Sequence, residues 1–430
     1  MLAAWAKSPV RDNVHRADRL LSSMYDLHSK GISEVEPDVI CNTVVLQGWT
    51  RLSKSGDKAA AKRANDILDR MESKYALGQK QQKPDVYVYQ NVLKAWALSN
   101  VEESGENADR ILQTMEELSH NGDQTMIPSK KNYASVIHAY LKKCDNFEKA
   151  LTRSMKILHF LEKCYANGEE DMKPSEDIYR AFVFYWAKSG REGGAFQSCN
   201  CLKVMIKKFE EGDASMLPKT RTFNAVLEAL SRSESPDALK EMLHLLRKME
   251  ELYKEGFCAA RPIERSYTNF IRALGRSKIS DQANKASNII DRMKSMVTQG
   301  NKEACPSSYT YNALLTACAN DGGTIYSEGA FEIAIKAFNM ISKETKEGCD
   351  SITYGNLLKV CADLLPEGRK RIAVAKATFR KCCQDGFVKP YTIRALRRAV
   401  SDEVLMELTG IEYPNEEVII PEKWKRNVAK

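Results

Sequence analysis

Pro84-Asp85-Val86-Tyr87-Val88-Tyr89-Gln90-Asn91-Val92-Leu93-Lys94-Ala95-Trp96 opens like an amphipathic helix. Tyr89, Val92, Leu93 and Trp96 stand at i, i+3, i+4 and i+7, one face of a 3.6-residue turn. The proline cannot continue a preceding helix, and it biases the residue before it away from helical angles. The same face returns as Tyr133, Val136, Ile137 and Tyr140, and again as Tyr311, Leu314, Leu315 and Cys318.

Outward from this stretch the chain repeats itself. Pro37, Pro84, Pro128, Pro174, Pro218, Pro262 and Pro306 are 47, 44, 46, 44, 44 and 44 residues apart. Cys349 takes the next proline place, 43 residues on, and Pro390 follows 41 later. Twelve residues after each stands a bulky side chain: Trp49, Trp96, Tyr140, Trp186, Leu230, Leu274, Cys318 and Cys361. Thirteen residues before stands Met24, Met71, Met115, Leu161, Met205, Met249 or Met293. Two independent offsets held through seven units establish the repeat.

Each unit reads as two helices. The second carries its own stripe, as in Ala64, Ile67, Leu68 and Met71 or Ala286, Ile289, Ile290 and Met293. Polar stretches such as Ser53 to Asp57 and Ser99 to Asn107 separate the two. Small residues (Gly48, Ala95, Ala139, Ala229, Ala273, Ala317) precede the last stripe position of most first helices and allow close packing. One helix pair cannot bury its stripe alone, so neighbours must stack around a continuous core. The expected fold is all-α, a right-handed superhelical solenoid of helix-turn-helix repeats. Residues 37–389 hold eight units, 1–36 a truncated first one, and 390–430 a capping helix and tail. Met1, Leu2, Ala4 and Trp5 align with Val92, Leu93, Ala95 and Trp96, so the chain is expected to begin inside a helix.

Composition agrees. The 430 residues are 43% hydrophobic and 28% charged, with 22 Gly and 13 Pro, which excludes collagen-like and wholly disordered classes. No apolar run is long enough to span a membrane. Twelve cysteines at irregular spacing, without a CxxC, read as reduced thiols of an intracellular compartment rather than a disulfide framework.

Pro84-Asp85-Val86-Tyr87-Val88-Tyr89, Pro37-Asp38-Val39-Ile40, Thr310-Tyr311-Asn312-Ala313-Leu314-Leu315, Thr222-Phe223-Asn224-Ala225-Val226-Leu227 and Ile67-Leu68-Asp69-Arg70-Met71-Glu72 resemble the pentatricopeptide repeat. The resemblance recurs in register over most of the chain. The tetratricopeptide repeat is the nearest rival, but the Pro-Asp pair followed by Tyr-Asn fits the pentatricopeptide form better. One departure is length: these units run about nine residues longer than the family's. A longer second helix or a longer connecting loop accounts for part of it, and the rest enters between the two helices.

The resemblance implies single-stranded RNA as ligand, with roughly one repeat per base. In the family the informative residue follows the first-helix aromatic. Here that gives Thr43, Gln90, Ala134, Arg180, Asn224, Thr268, Asn312 and Gly355. Their implied partners after the next proline place are Asp85, Ser129, Ser175, Lys219, Ile263, Ser307, Asp350 and Tyr391. Thr43 with Asp85 implies guanine and Asn312 with Asp350 implies uracil. Ile263 cannot hydrogen-bond a base edge, and Arg180 with Lys219 suits phosphate. The residues implied to flank the base are Ile40, Tyr87, Lys131, Asp177, Arg221, Arg265, Tyr309 and Ile352. Tyr87 and Tyr309 suit stacking, Ile40 and Ile352 wedging, Arg221 and Arg265 planar cation contacts, and Lys131 a point charge. Asp177 opposes them.

Residues 366–398 carry ten Lys or Arg against two acidic residues, a net of +8 equal to that of the whole chain. This block suits phosphate contact or, equally, the solvated cap every solenoid needs. Six scattered His, no Cys/His cluster at ligand spacing, no phosphate-cradling Gly loop and no nucleophile elbow support neither metal, cofactor nor catalysis. The implied function is a non-catalytic, monomeric RNA binder acting in organellar RNA processing, stability or translation, in a mitochondrion or plastid. Its further expected partners are an organellar ribosome or RNA-processing proteins. The alternatives are a protein-interaction scaffold of tetratricopeptide type and a ribosome-associated factor that binds structured RNA.

Overall fold

Helix follows helix as the stripes require, and no strand occurs among the described residues. The computed structural model describes residues 2–8, 10–32, 35–142, 146–233, 235, 237–277, 279–321, 327–345, 348–410 and 420–428. The chain divides into two compact units, Met1–Tyr185 and Trp186–Lys430. The first holds α1 (Leu2–Lys7), α2 (Arg11–Ser29), α3 (Val39–Lys54), α4 (Ala60–Ala76), α5 (Val86–Leu98), α6 (Ser104–His120), α7 (Lys130–Lys142), α8 (Phe147–Ala166) and most of α9 (Glu176–Lys188). The second holds α10 (Gly194–Glu210), α11 (Thr220–Ser231), α12 (Ala238–Lys254), α13 (Glu264–Leu274), α14 (Gln282–Thr298), α15 (Ser308–Ala319), α16 (Ser327–Glu344), α17 (Ser351–Leu364), α18 (Arg369–Asp385), α19 (Pro390–Ala399), α20 (Asp402–Thr409) and α21 (Glu422–Lys425). Odd-numbered helices through α19 are the first helices of repeats. Within each unit they pack on one another in sequence, α1 on α3, α3 on α5 and α5 on α7, then α11 on α13 through to α17 on α19.

The periodic residues form the core. Met71, Met115, Leu161, Met205, Met249 and Met293 are buried, as are Trp49, Trp96, Tyr140, Leu230, Leu274, Cys318 and Cys361. Trp186 alone of its series is half-buried. Full burial of such a side chain contributes about 1.5–3 kcal/mol, so each unit rests on a long series of equal terms. Gly48 shows why the preceding position is small. A Cβ there would sit 3.1 Å from Ala6 O and Val14 Cγ1.

The extra length of the repeat has a definite form. Of the twelve residues between Met71 and Pro84, five continue α4 and seven make a connector. The second residue of each connector is a glycine six residues before the proline (Gly31, Gly78, Gly122, Gly168, Gly212, Gly256 and Gly300), at φ from 92° to 104°. That is the left-handed helix stop for which a Cβ is costly. A single 3₁₀ turn follows in the six connectors described in full, such as Lys80–Gln82 and Ala214–Met216. It tucks Gln82, Met126, Met216, Ala260 or Ala304 into the core. The stretch between the two helices is shorter than the sequence suggests, since α6 begins at Ser104 rather than after Asn107.

Polar staples join neighbouring repeats. Tyr89, Tyr133, Tyr179 and Tyr267 each donate a hydroxyl to a glutamate seventeen residues earlier, on the second helix before: Glu72 (2.8 Å), Glu116 (3.0 Å), Glu162 (2.7 Å) and Glu250 (2.9 Å). Where the first helix offers Phe223, which has no hydroxyl, the position seventeen back is Ile206, also buried. Before Tyr311 it is Lys294, with Nζ 5.9 Å from the ring centroid. Arginines tie second helices together at the next level, Arg63 to Asp18 at 2.6 Å, Arg153 to Asp109 at 2.7 Å and Arg292 to Glu250.

Replacing Tyr89 with Phe strands the Glu72 carboxylate, a loss of about 1–3 kcal/mol. Tyr89→Phe combined with Glu72→Ile, which copies the Phe223/Ile206 pair, recovers most of it in urea denaturation followed by circular dichroism. A double variant no more stable than the single one would refute the staple. Burial, and then the facing carboxylates, push the hydroxyls of Tyr89, Tyr133 and Tyr267 above the usual 10.0. Folding therefore holds them protonated while the unfolded chain ionises, so their contribution is intact below pH 10 and falls as pH rises beyond it. Alkaline titration of stability is expected to steepen above that point, and less so with all three changed to Phe.

Candidate nucleic-acid interface

The residue after each proline place is an N-cap. The carboxylates of Asp38, Asp85 and Asp350 accept from the N–H groups of Cys41 (2.7 Å), Val88 (2.9 Å) and Thr353 (2.8 Å), and Ser307 accepts from Tyr309 N. Two residues further, in the first turn of each first helix, stands a position whose side chain reaches solvent in most repeats. Ile40, Tyr87, Tyr309 and Ile352 are 70%, 65%, 54% and 52% exposed there, although all four are large and apolar or aromatic. Lys131, Arg221 and Arg265 are exposed at the same position, and Asp177 is half-buried. The first unit thus presents Ile40, Tyr87, Lys131 and Asp177 in series. The second presents Arg221, Arg265, Tyr309 and Ile352.

A diagonal set of contacts braces these rows, and the sequence reading did not foresee it. The residue seven positions later on one first helix reaches the row residue on the next. His138 Nε2 lies 3.1 Å from Asp177 Oδ2, Glu228 pairs with Arg265 at 2.7 Å, and Arg272 Nη1 donates to Tyr309 Oη at 2.9 Å. The Arg272 guanidinium also lies 6.0 Å from the Tyr309 ring centroid. The hydrogen bond from His138 holds the Asp177 carboxyl well below the usual carboxylate range, aided by Ser175. The Arg265–Glu228 pair is exposed and worth less than about 1 kcal/mol, so a phosphate can displace Glu228 cheaply.

The residues implied to read bases differ among themselves. Thr43, Gln90 and Arg180 are half-buried beside the row, Arg180 with Glu176 at 3.4 Å. Asn224 and Asn312 are nearly buried, and each leaves its amide oxygen without a hydrogen-bond partner among the described residues. Asn312 Nδ2 stands 3.5 Å from Asp350 Oδ1, so the structure brings this pair together. Thr268 is fully buried. Its hydroxyl donates to Glu264 O at 3.0 Å and meets Thr310 Oγ1 at 3.0 Å, and it offers a strand no atom. Ala134 is buried. Among the partners, Ser129 donates to Asn132 Oδ1, Ser307 is held by Glu264, and Lys219 is exposed.

One assignment needs correction. Pro390 is not the counterpart of Pro306. It occupies the first turn of α19, where a proline's fixed φ suits the helix and its missing N–H costs nothing, and Lys389 is the N-cap. Val388 therefore takes the proline place, Lys389 falls at the position implied for the end partner of Gly355, and Tyr391 falls in register with Tyr87 and Tyr309.

Basic side chains near the far ends of the first helices have a structural duty. Lys142 donates to Leu98 O, Arg232 to Ala187 O at 3.2 Å and Arg276 to Ser231 O at 3.1 Å. Each satisfies a terminal carbonyl of the preceding first helix, where a cation is also favoured by the dipole. The basic block divides likewise. Arg371 caps α19 through Ala399 O, Lys376 and Arg380 face Glu407 of α20, and Arg398 pairs with Asp363. The tail residue Trp424 packs edge-on against Phe379, and its carbonyl accepts from Val388 N at 2.8 Å.

The cysteines placed in second-helix patterns sit there. Burial pushes the Cys199 thiol up to about 12 and Cys201 to about 11, which suppresses the nucleophilic thiolate. Among the described residues no group of three His, Cys, Asp or Glu could hold a metal ion, and no helix is long and apolar enough to cross a membrane.

No family model matches the chain, and no curated protein does. Among solved structures it is similar to the pentatricopeptide repeat protein PPR10 from maize, at 19% identity and a TM-score of 0.45. The match covers 90% of this chain and 49% of that one, so the chain spans about half the length of its structural neighbour.

Proposed function

We propose that the chain binds single-stranded RNA along the exposed rows of its first helices, without chemistry of its own. The observation that carries this is the repeated exposure of stacking, wedging and cationic side chains at one helical position, with nearly buried amides of Asn224 and Asn312 beside the row. The hydrophobic and aromatic side chains left in water at Ile40, Tyr87, Tyr309 and Ile352 have a ready use against bases, whose faces are apolar, while arginines of the same row meet phosphates. Base selection is concentrated at Asn312 with Asp350, whose side chains meet, and at Thr43 with Asp85. Thr268 takes no part. Binding of this kind protects or exposes a segment of RNA, which suits a role in RNA processing, stability or translation. A mitochondrion or plastid as the setting, and a ribosome or processing factor as further partner, belong to the same proposal by resemblance.

Recombinant protein is expected to shift single-stranded oligoribonucleotides of about twenty residues at low salt, with affinity falling as salt rises. Tyr87→Ala and Tyr309→Ala are each expected to weaken binding by roughly 5- to 100-fold, from the 1–3 kcal/mol of one stacked base. Leu77→Ala, 82% exposed on a connector, serves as the control and leaves affinity unchanged. Absence of binding to any single-stranded RNA at low ionic strength would overturn the proposal.

A further inference from the structure

Tyr391 differs from the two tyrosines it matches in register. Its ring is 37% exposed, against 65% for Tyr87 and 54% for Tyr309. The cause is Gly355, which on α17 stands where earlier repeats carry Thr43, Gln90, Ala134, Arg180, Asn224, Thr268 and Asn312. A Cβ on Gly355 would lie 2.2 Å from Tyr391 Cε1, so the ring rests on bare helix backbone. The Tyr391 hydroxyl donates to Asn356 Oδ1 at 2.7 Å, and Asn356 Nδ2 donates to Asn312 O at 3.2 Å. The ring is held down at both ends, in the space a reading side chain and its base would occupy. Just beyond it, Arg394 is exposed and forms no hydrogen bond or ion pair with the described residues, whereas Arg398 is engaged by Asp363.

We infer that Tyr391, seated on Gly355, ends the base-reading row. The last base read lies at Asn312 and Asp350, between Tyr309 and Ile352, and the nucleotide beyond it is held through its phosphate by Arg394. This rests on the RNA-binding reading above, and it assigns Tyr391 and Gly355 a part in setting where selection stops.

The test is selection from a randomised RNA library, with nuclease protection of the selected RNA. Wild type is expected to protect at least one nucleotide past the Asn312 base without preferring any base there. Arg394→Ala, which removes only an exposed side chain, is expected to weaken every selected RNA by about three- to tenfold and to lower the salt slope by about one, with preferences unchanged. Gly355→Asn with Lys389→Asp and Tyr391→Ala rebuilds an open slot and is expected to add one preferred position. A wild-type preference at that nucleotide as strong as at its neighbour overturns the inference. So does an Arg394→Ala protein with unaltered affinity and salt slope, or a folded, RNA-binding triple variant that gains no position. A wild type that selects no RNA at all instead overturns the RNA-binding reading, and the two failures are told apart by that first measurement.

Discussion

Everything in this molecule follows from one shortage: a pair of helices of these lengths has an apolar stripe and nothing of its own to cover it. Met71, Ile67 and Leu68 are buried where α4 packs both on α3 of its own repeat and on α5 of the next. The cost of ordering the chain is offset by this burial repeated unit by unit. Stability is consequently local to neighbours, and each repeat is free to vary wherever it does not touch the next. That freedom is what leaves the row position on the first helices open to Ile, Tyr, Lys, Arg or Asp without change of fold.

The polar staples show how the same constraint is refined. A tyrosine hydroxyl buried between repeats requires an acceptor, and for Tyr89, Tyr133, Tyr179 and Tyr267 it falls on the second helix seventeen residues before, whereas Tyr140 and Tyr354 find theirs in Asp109 and Asp385. Where the hydroxyl is missing the acceptor is missing too, at Phe223 and Ile206. Polar satisfaction is therefore decided pair by pair, and in these five repeats the two positions change together across a connector. The arginines at the far ends of the first helices obey the same accounting, since Arg232 and Arg276 answer carbonyls left open by the helix before. Positive charge on these helices thus has two uses, and only part of it is available to a ligand.

The helical pairs and their core were legible because periods of 3.6 and 44 are imprinted on apolar residues, which burial forces to recur. A longer connecting loop was one of the two explanations open for the extra length, but its form, a left-handed glycine and a 3₁₀ turn, was not read, although a glycine six residues before each of seven prolines carried it openly. Attention to apolar stripes passes over a residue whose significance is a positive φ. The row residues were placed through family resemblance, and their exposure is a matter of helix phase that the sequence contains. The diagonal contacts of His138 with Asp177 and Arg272 with Tyr309 were not legible, because they depend on how closely consecutive first helices approach. The fate of Thr268 was hidden for the same reason: a threonine at a reading position is indistinguishable by sequence from one that turns inward to Thr310. Pro390 misled because a proline both precedes helices and begins them, and only the cap geometry distinguishes the two.

Variation among equivalent positions then becomes informative in itself. An exposed isoleucine or tyrosine on a helix surface is tolerated singly in any protein, but a fixed position that repeatedly keeps such side chains out of an available core is maintained against the hydrophobic effect. On the RNA-binding proposal the exposed rings and cations of the row serve bases and phosphates, while buried Thr268 and bare Gly355 offer a base no side chain. A scaffold selected only for solubility would fill the row with lysine and glutamate, and one selected only for stability would turn Tyr87 inward as it turns Tyr89. The contrast between these two tyrosines, two residues apart on α5 with one stapled and one bare, separates what holds the repeats together from what the repeats present.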